Sequence, residues 1–207
     1  MARRTKEDAL TTRSDLLDAA ERLFSEKGVS RTSMNQVAEA AGVTRGAIYH
    51  HFENKLALIE ALMERVRLPV DDMLEELEKT HNDNPLAMLR ARCLNIIEQV
   101  QQDPHTQALI TILLHKCEYV DDALPIHQRH LDGRNACVAE SGWLVERAKE
   151  QGLIDASLNS QGVILGLFSL VDGLMYNWLL DPSCFNLGQT AKQAIDTYFN
   201  GLMKQSA

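Results

Sequence analysis

The sequence predicts an all-α protein with an N-terminal three-helix domain and a larger C-terminal helical bundle. Apolar residues recur at intervals of three and four along most of the 207 residues, which is typical of amphipathic helices. Runs of β-branched residues with a period of two, which would indicate strands, do not occur in the sequence. Hydrophobic residues make up 45% of the chain and charged residues 24%, a balance that excludes an intrinsically disordered protein.

Turn residues divide the N-terminal third into four predicted helices. Gly28 and Gly42 follow apolar periodic segments, and glycine commonly ends a helix because it adopts positive φ. Ser33 (or its neighbour Thr32) and Asn54 precede the next segments as N-caps, and Pro69 would break the last one. The four predicted helices cover about residues 8–27, 34–41, 45–52 and 55–66.

Five more helices are predicted in the remainder of the chain. Pro85, Pro104 and Pro125 mark helix starts, since proline is tolerated in a first turn, and Gly152 marks an end. The predicted helices cover about residues 85–101, 104–119, 125–150, 159–180 and 187–204. The fourth of these contains an apolar stretch long enough to cross a membrane, but Asp172 lies near its middle. A carboxylate there would cost several kcal/mol, roughly, so the stretch is interpreted as a buried helix and no membrane partner is expected.

The charge is unevenly distributed. The formal net charge of −8 argues against a protein that coats nucleic acid or anionic membranes. Residues 1–67 nevertheless hold 11 Lys and Arg against 10 Asp and Glu, so all of the acidic excess follows residue 67. The four cysteines include no CxxC pair, and no apolar segment follows the basic N-terminus, which together predict reduced thiols and a cytoplasmic location.

The segment 31–55 has the pattern of a helix-turn-helix. Ala38 is small enough for a close helix approach, and Gly42 supplies the backbone freedom that a tight turn needs. Val37, Val43 and Ile48 would form a small core that fixes the two helices at a steep angle. Such a unit can place its second helix in a major groove, although an ordinary α-hairpin has the same spacing.

Polar residues on the second helix distinguish these alternatives. Arg45 offers a fork of donors, while Gly46 and Ala47 have almost no side chain, so the helix can approach base edges closely. Phenol, imidazole and ammonium groups behind them suit phosphates. The predicted DNA-binding residues are Thr32, Ser33, Thr44, Arg45, Gly46, Ala47, Tyr49, His50, His51 and Lys55.

The segment also resembles the signature of the TetR family of bacterial transcriptional regulators. The matching residues are Gly28, Thr32, Ser33, Val37, Ala38, Ala41, Gly42, Val43, Ile48, Tyr49, His51, Phe52 and Lys55. The resemblance covers about residues 10–60, and the run 44–49 with the later segments 115–118, 120–122 and 171–174 is similar to the repressors of multidrug efflux pumps of the AcrR and TtgR type. In that subgroup, position 50 is more often Trp. The resemblance implies that Arg45, Gly46 and Ala47 face bases while Thr32, Ser33, Tyr49, His51 and Lys55 hold the backbone. Arg3, Arg4 and Lys6 would either form an arm on the DNA or be a solvated terminus.

The C-terminal domain is predicted to bind a ligand and to dimerise. On a helical wheel of residues 163–180, Phe168, Val171 and Asp172 share an inner arc, and small residues share another. Asp172 would either make a structural hydrogen bond or, as the resemblance implies, orient a polar group of an amphipathic or aromatic compound. The dimer would form through helices around 124–150 and 159–180. The predicted ligand-binding residues, for each of which plain core packing is the alternative, are Met88, Cys93, Ile96, Leu113, Leu114, Cys137, Phe168, Val171, Asp172 and Met175.

These patterns predict a ligand-responsive repressor, with residues 1–55 binding a palindromic operator in double-stranded DNA and residues 56–207 binding ligand. The regulated operon would be that of a multidrug efflux pump; the alternatives are a non-efflux gene, a helical enzyme using Asp172 and a protein-binding adaptor. The sequence contains no recognised catalytic or nucleotide-binding motif. His127 with His130 and His115 with Cys117 lack a third ligand at a suitable spacing, so neither a metal nor a cofactor is expected.

Overall fold

The computed structural model describes residues 6–66, 84–118 and 124–203. These ranges are helical apart from turns and an isolated antiparallel bridge between Ile154 and Met203, which confirms the predicted all-α class. We number the helices of the described ranges α1 to α9. They are α1 (Lys6–Lys27), α2 (Met34–Ala40), α3 (Arg45–His51), α4 (Lys55–Arg65), α5 (Pro85–Gln102), α6 (Pro104–Thr111), α7 (Leu124–Glu150), α8 (Ser160–Leu180) and α9 (Leu187–Leu202).

The described residues form two compact units. The first unit comprises residues 6–66, 104–118 and 124–130, and the second comprises residues 84–103 and 131–203. Helix α6 therefore belongs to the same unit as α1 to α4, and α7 contributes to both units. The functional division at residue 55 stays a prediction, since compactness alone does not show which residues bind DNA.

Local sequence explains the helix ends of the first unit. Ser33 forms a capping box with Gln36, since its side chain accepts from the Gln36 N–H and the Gln36 side chain accepts from the Ser33 N–H. Thr44 and Asn54 cap α3 and α4 through the N–H groups of Ala47 and Ala57. These caps satisfy backbone donors that a helix start otherwise leaves unpaired.

The first unit has one hydrophobic core. Leu16, Phe24, Val37 and Ile48 are completely buried in it, together with residues of α4 and α6. The backbone of Val29 donates to the carbonyl oxygen of Lys116 at 2.9 Å, which joins the end of α1 to the end of the α6 segment. The predicted small core under the helix-turn-helix is thus part of a larger one.

One predicted helix requires correction, and two further predictions concern residues outside the described ranges. The helix predicted to extend to about residue 119 instead widens after Thr111 into a π-helical turn, Ile112–Lys116, and Cys117 is already extended. Such turns have no clear sequence pattern. The break predicted at Pro69 and the arm residues Arg3 and Arg4 lie outside the described residues.

In the second unit α9 packs against both α5 and α8. Tyr198 on α9 donates its hydroxyl to the carbonyl oxygen of Val163 at 2.7 Å. A Cβ added to Gly166 would lie 2.7 Å from that hydroxyl oxygen, so only glycine fits this crossing without a shift. Helix α8 has the length and mean hydropathy, 1.6, of a membrane-spanning segment, as core helices of soluble proteins also can. Here it packs in the helical bundle and is not a membrane span, but only 33% of its apolar window is buried in the single chain, less than the buried-helix interpretation predicts.

Candidate nucleic-acid interface

The turn between α2 and α3 fixes the position of α3. Gly42 has a φ of +69°, the left-handed conformation that glycine adopts without strain. Its N–H donates to the Glu39 carbonyl at 3.0 Å, and the Val43 N–H donates to the Ala38 carbonyl at 2.9 Å. This is a Schellman ending of α2. With Ile48 completely buried against α1 and α2, α3 is anchored along one side and exposes the other.

The exposed side of α3 carries most of the residues predicted to contact bases. Thr44, Arg45 and Gly46 are exposed at the start of the helix, and His50 is exposed further along. Tyr49 is 47% exposed, although a large aromatic side chain is usually covered. Ala47 is only 9% exposed. Its small side chain thus offers little surface of its own, and its base-facing role stays a prediction.

A shallow depression of about 290 Å³ lies beside this exposed face. Tyr49 and Lys55 form one part of its lining, and the start of α2 forms the other. The Lys55 ammonium group donates to the Val29 carbonyl at 3.3 Å, which holds the side chain at the rim. The depression combines hydroxyl, amide and cationic donors, the groups that bind DNA phosphates. Its lining residues are Ser30, Arg31, Thr32, Ser33, Met34, Asn35, Tyr49 and Lys55.

Sequence reasoning missed Arg31 and Asn35 in this depression. Both are exposed; Arg31 lies two residues before the capping box, and Asn35 lies within it, between Ser33 and Gln36. Their polar character was visible in the sequence, but their position beside Tyr49 and Lys55 depends on how α2, α3 and α4 pack. Ser33, predicted to contact the DNA backbone, also lines the depression, and its hydroxyl bonds to the Gln36 side chain at 3.1 Å.

Thr32 does not have the exposed position that a phosphate contact from its hydroxyl needs. The residue is 1% exposed, and its hydroxyl donates to the Gly28 carbonyl at 2.8 Å. The Thr32 hydroxyl therefore has a structural role in the turn after α1, while the residue still lines the depression and its contact with the DNA backbone stays a prediction. His51 is half-buried beside the Phe52 ring, with ring centroids 6.3 Å apart.

The residues predicted to bind a ligand are divided between the two units. Leu113 and Leu114 belong to the first unit, and Leu113 is part of its hydrophobic core. The other eight belong to the second unit, where Met88, Val171 and Met175 are buried and Phe168 is half-buried.

Asp172 lies at the edge of the inner arc rather than within it. The residue is exposed in the single chain, which corrects the predicted inward position. Exposure follows from the helix geometry, since Leu165, Ser169 and Tyr176 on the same face are exposed as well. The carboxyl group is nevertheless crowded enough that desolvation raises its pKa, while the charge of Arg134 opposes the shift.

Near Asp172, α5 and α7 bring together polar residues that the sequence analysis did not connect. The Arg92 guanidinium contacts Ser141, Cys137 and Glu140 at 3.3, 3.4 and 3.4 Å. Burial raises the pKa of the neighbouring Cys93 thiol to about 12, and burial likewise raises the pKa of Cys137. Both thiols are therefore neutral at physiological pH and act as weakly polar packing groups.

The described ranges contain no group of three or more His, Cys, Asp or Glu side chains placed to hold a metal ion. His127, His130, His115 and Cys117 thus form no such group among themselves. Two groups of polar side chains in the described part of the chain bear on the predicted function: the exposed face of α3 with its depression, and the Arg92 region.

An all-helical chain with a rigid helix-turn-helix and an exposed, arginine-bearing second helix is a DNA-binding regulator. The chain belongs to the TetR family: residues 16–62 match the family model of bacterial regulatory proteins, tetR family, and residues 84–204 match the C-terminal region of MAATS-type transcriptional repressors. Together the two matches cover most of the chain.

Full-length relatives agree with both matches. The chain is 36% identical over 197 residues to the HTH-type transcriptional regulator TtgR of Pseudomonas putida, covering 95% of this chain and 94% of TtgR. It is 34% identical over 198 residues to AcrR of Shigella flexneri, covering 94% and 91%. The crystal structure of NalD, the secondary repressor of the MexAB-OprM multidrug efflux pump in Pseudomonas aeruginosa, superposes with a TM-score of 0.84 at 34% identity, covering 97% of this chain and all of NalD.

The protein is therefore a transcriptional repressor of the TetR family with an N-terminal DNA-binding region and a C-terminal helical region. The resemblance identified from residues 28–55 is confirmed. Repressors of this family bind operator DNA and small molecules and act as dimers, and the family consists of transcriptional regulators rather than enzymes.

Proposed function

We propose that this protein represses the operon of a multidrug efflux pump and leaves its operator when an amphipathic or aromatic compound binds the C-terminal region. The observation that carries the DNA-binding part is the exposed start of α3. Arg45 and Gly46 are exposed there, on a helix that buried Ile48 anchors. The relatives named above include repressors of such pumps, which supports the assignment of the operon.

Two groups of side chains would divide the work of DNA recognition. Arg45 would read a base edge, bidentate to guanine in the most favourable case. Tyr49, Lys55, Ser33 and the newly found Arg31 would bind phosphates around the depression, which fixes the register without reading sequence. The near-neutral charge of residues 1–67 means that these placed groups, rather than net charge, must supply the attraction.

The functional dimer would form through α7 and α8, as the sequence predicts. Trp143 is 40% exposed on α7, and Leu165, Tyr176 and Leu180 are 39%, 43% and 62% exposed along one face of α8. Large apolar side chains that follow one helix face mark an association surface. A second copy of this chain would cover them, and the two α3 helices would then meet successive major grooves of a palindromic operator.

Ligand release would require a compound that binds the two conformations with different affinity. Asp172 suits a polar anchor, because it borders the apolar residues of the second unit and its carboxyl group is partly desolvated. We expect Phe168 and Val171, on the same helix, to supply apolar contact. We also propose that the protein is cytoplasmic, where its DNA lies.

The direct test is a gel-shift titration on DNA upstream of the protein's own gene and of neighbouring operons, at several salt concentrations. Retention of one duplex over a scrambled duplex, with affinity falling as salt rises, is the expected result. The titration is repeated with amphipathic antibiotics, dyes and plant phenolics, and release by some of them is expected. Binding that ignores sequence or salt would contradict the repressor assignment, and retention under every compound would contradict ligand-controlled efflux regulation.

A further inference from the structure

The Arg92 cluster, which we define as Arg92, Cys137, Glu140 and Ser141, carries an inference about the ligand. All four residues lie in the second unit, Arg92 on α5 and the others on α7. Predicted ligand-binding residues surround it in the chain: Cys93 is adjacent to Arg92, and Ile96 lies one helical turn further along α5. The cluster places a positive charge within the region that the proposed function assigns to the ligand.

Arg92 is held too weakly for a purely structural ion pair. Its side chain is 14% exposed, yet among the described residues its contacts with the Ser141 hydroxyl and the Glu140 carboxylate measure 3.3 and 3.4 Å, longer than charge-assisted hydrogen bonds of about 2.7–2.9 Å. Two of the partners, the Ser141 hydroxyl and the Cys137 thiol, are uncharged at physiological pH. The N–H groups of this mostly buried guanidinium could therefore form shorter and stronger hydrogen bonds with an anionic acceptor.

Glu140 is the anion that now balances Arg92, and it is easily displaced. Its side chain is 61% exposed, so its carboxylate can turn into water at small cost. A ligand carboxylate at the same place would accept two parallel hydrogen bonds from the planar guanidinium. A lysine ammonium group does not offer this paired geometry. The buried Ser141 hydroxyl, 1% exposed, would stay as a fixed neighbour.

Arg90 shows the contrast within the same helix. It lies two residues earlier on α5 and donates through Nε to Asp196 on α9 at 2.5 Å. That short, charge-assisted contact raises the pKa of Arg90 and lowers the pKa of Asp196. Arg90 is thus committed to holding α5 on α9, whereas Arg92 is not committed in this way.

We propose that Arg92 binds the anionic head of the effector, and that the preferred ligands are amphipathic monocarboxylates with an apolar body. This inference rests on the proposed ligand-responsive function and names the chemical class of that ligand. The apolar body would lie against the half-buried side chains of the second unit. Straight alkyl and phenylalkyl acids share the required chemistry, so both belong in the test.

The test is isothermal titration calorimetry of the full chain at pH 7.5 with octanoate, decanoate and 4-phenylbutyrate, each compared with its own amide. The expected result is that at least one acid binds about tenfold or more tightly than its amide, and that Arg92→Gln reduces this ratio to about one. Arg90→Gln is the matched control and should leave the ratio unchanged. Equal affinity for every acid and amide in the unmodified protein, or a ratio that survives Arg92→Gln, would overturn the proposal.

A second variant keeps the test decisive if Arg92→Gln does not fold. Glu140→Gln removes the competing carboxylate from an exposed side chain, so acid binding should become several-fold tighter while amide binding does not change. Glu98→Gln, an exposed change on α5, is its control. Weaker or unchanged acid binding in Glu140→Gln would count against the proposal. The calorimetry needs no DNA, so the two proposals can fail separately. A protein that prefers acids in calorimetry but binds no DNA in the gel shift would contradict the proposed function and leave the ligand proposal standing.

Discussion

The two places with polar chemistry differ in how completely their groups are paired. Around the helix-turn-helix, Ser33, Thr44 and Asn54 each accept from a backbone N–H, and Thr32 donates to a carbonyl, so these four side chains are paired within the unit. In the second unit, the contacts that Arg92 makes with Ser141 and Glu140 among the described residues are long, and the carboxyl group of Asp172 is partly desolvated.

This difference fits the two kinds of partner. DNA presents a fixed, regular surface, so a rigid platform of satisfied caps that leaves a few side chains exposed is sufficient to read it. A small molecule must supply the free energy that distinguishes two conformations, and incompletely paired groups leave room for such a gain. The variants below test whether individual side chains of the helix-turn-helix determine the DNA sequence preference, and whether close packing between α8 and α9 stabilises the second unit.

The largest effect is expected from Arg45→Ala. Loss of a bidentate base contact should reduce discrimination between the preferred duplex and a scrambled one by about 1–3 kcal/mol, or roughly 5- to 150-fold. Fluorescence anisotropy with both duplexes at one salt concentration measures this. Arg22→Ala removes the same charge from an exposed position on α1 and should change both affinities equally. A loss of discrimination in both variants would mean that Arg45 acts only through its charge.

Gly166→Ala tests the packing of the second unit. The added methyl carbon would lie 2.7 Å from the Tyr198 hydroxyl oxygen, so the ring must move and its hydrogen bond to Val163 is strained. We expect the free energy of unfolding to fall by about 1–3 kcal/mol, as for other overpacked cores. Gly133→Ala, where nothing lies within 4 Å, should be neutral or slightly stabilising in urea unfolding. Equal behaviour of the two variants would show that α8 and α9 adjust freely.

Lys55→Ala should weaken binding to all DNA sequences alike. The plot of log affinity against log salt should lose about 0.9 in slope per chain, since one phosphate contact is removed. The variant also loses the hydrogen bond to the Val29 carbonyl, so the free energy of unfolding should fall by about 0.5–1.5 kcal/mol. Lys27→Ala, at an exposed lysine of α1, is the control. A change in sequence preference would show that Lys55 reads bases.

The features that the sequence predicted correctly are those that depend on neighbouring residues. Gly28, Gly42 and Gly152 all have positive φ where helices were predicted to end, and the cap residues act within three positions of themselves. The features it missed depend on distant partners. Arg92 finds its contacts 45 to 49 residues further along the chain, and the wheel for α8 could not show which of its faces the neighbouring helices leave exposed, the face that carries Asp172.

The smallest effect on DNA affinity is expected at Thr32, where burial and the sequence motif point in opposite directions. Thr32→Val keeps the shape but removes the hydroxyl that donates to Gly28, so the free energy of unfolding should fall by about 0.5–1.5 kcal/mol. DNA affinity, measured well below the unfolding temperature, should stay within twofold. Ser33→Ala, one residue later and exposed, removes the capping hydroxyl as well as a possible phosphate contact, so DNA affinity should fall more than for Thr32→Val. If Thr32→Val weakened DNA binding more than Ser33→Ala at equal folded fraction, the Thr32 hydroxyl would have to leave Gly28 in the complex, and the turn after α1 would move when DNA binds.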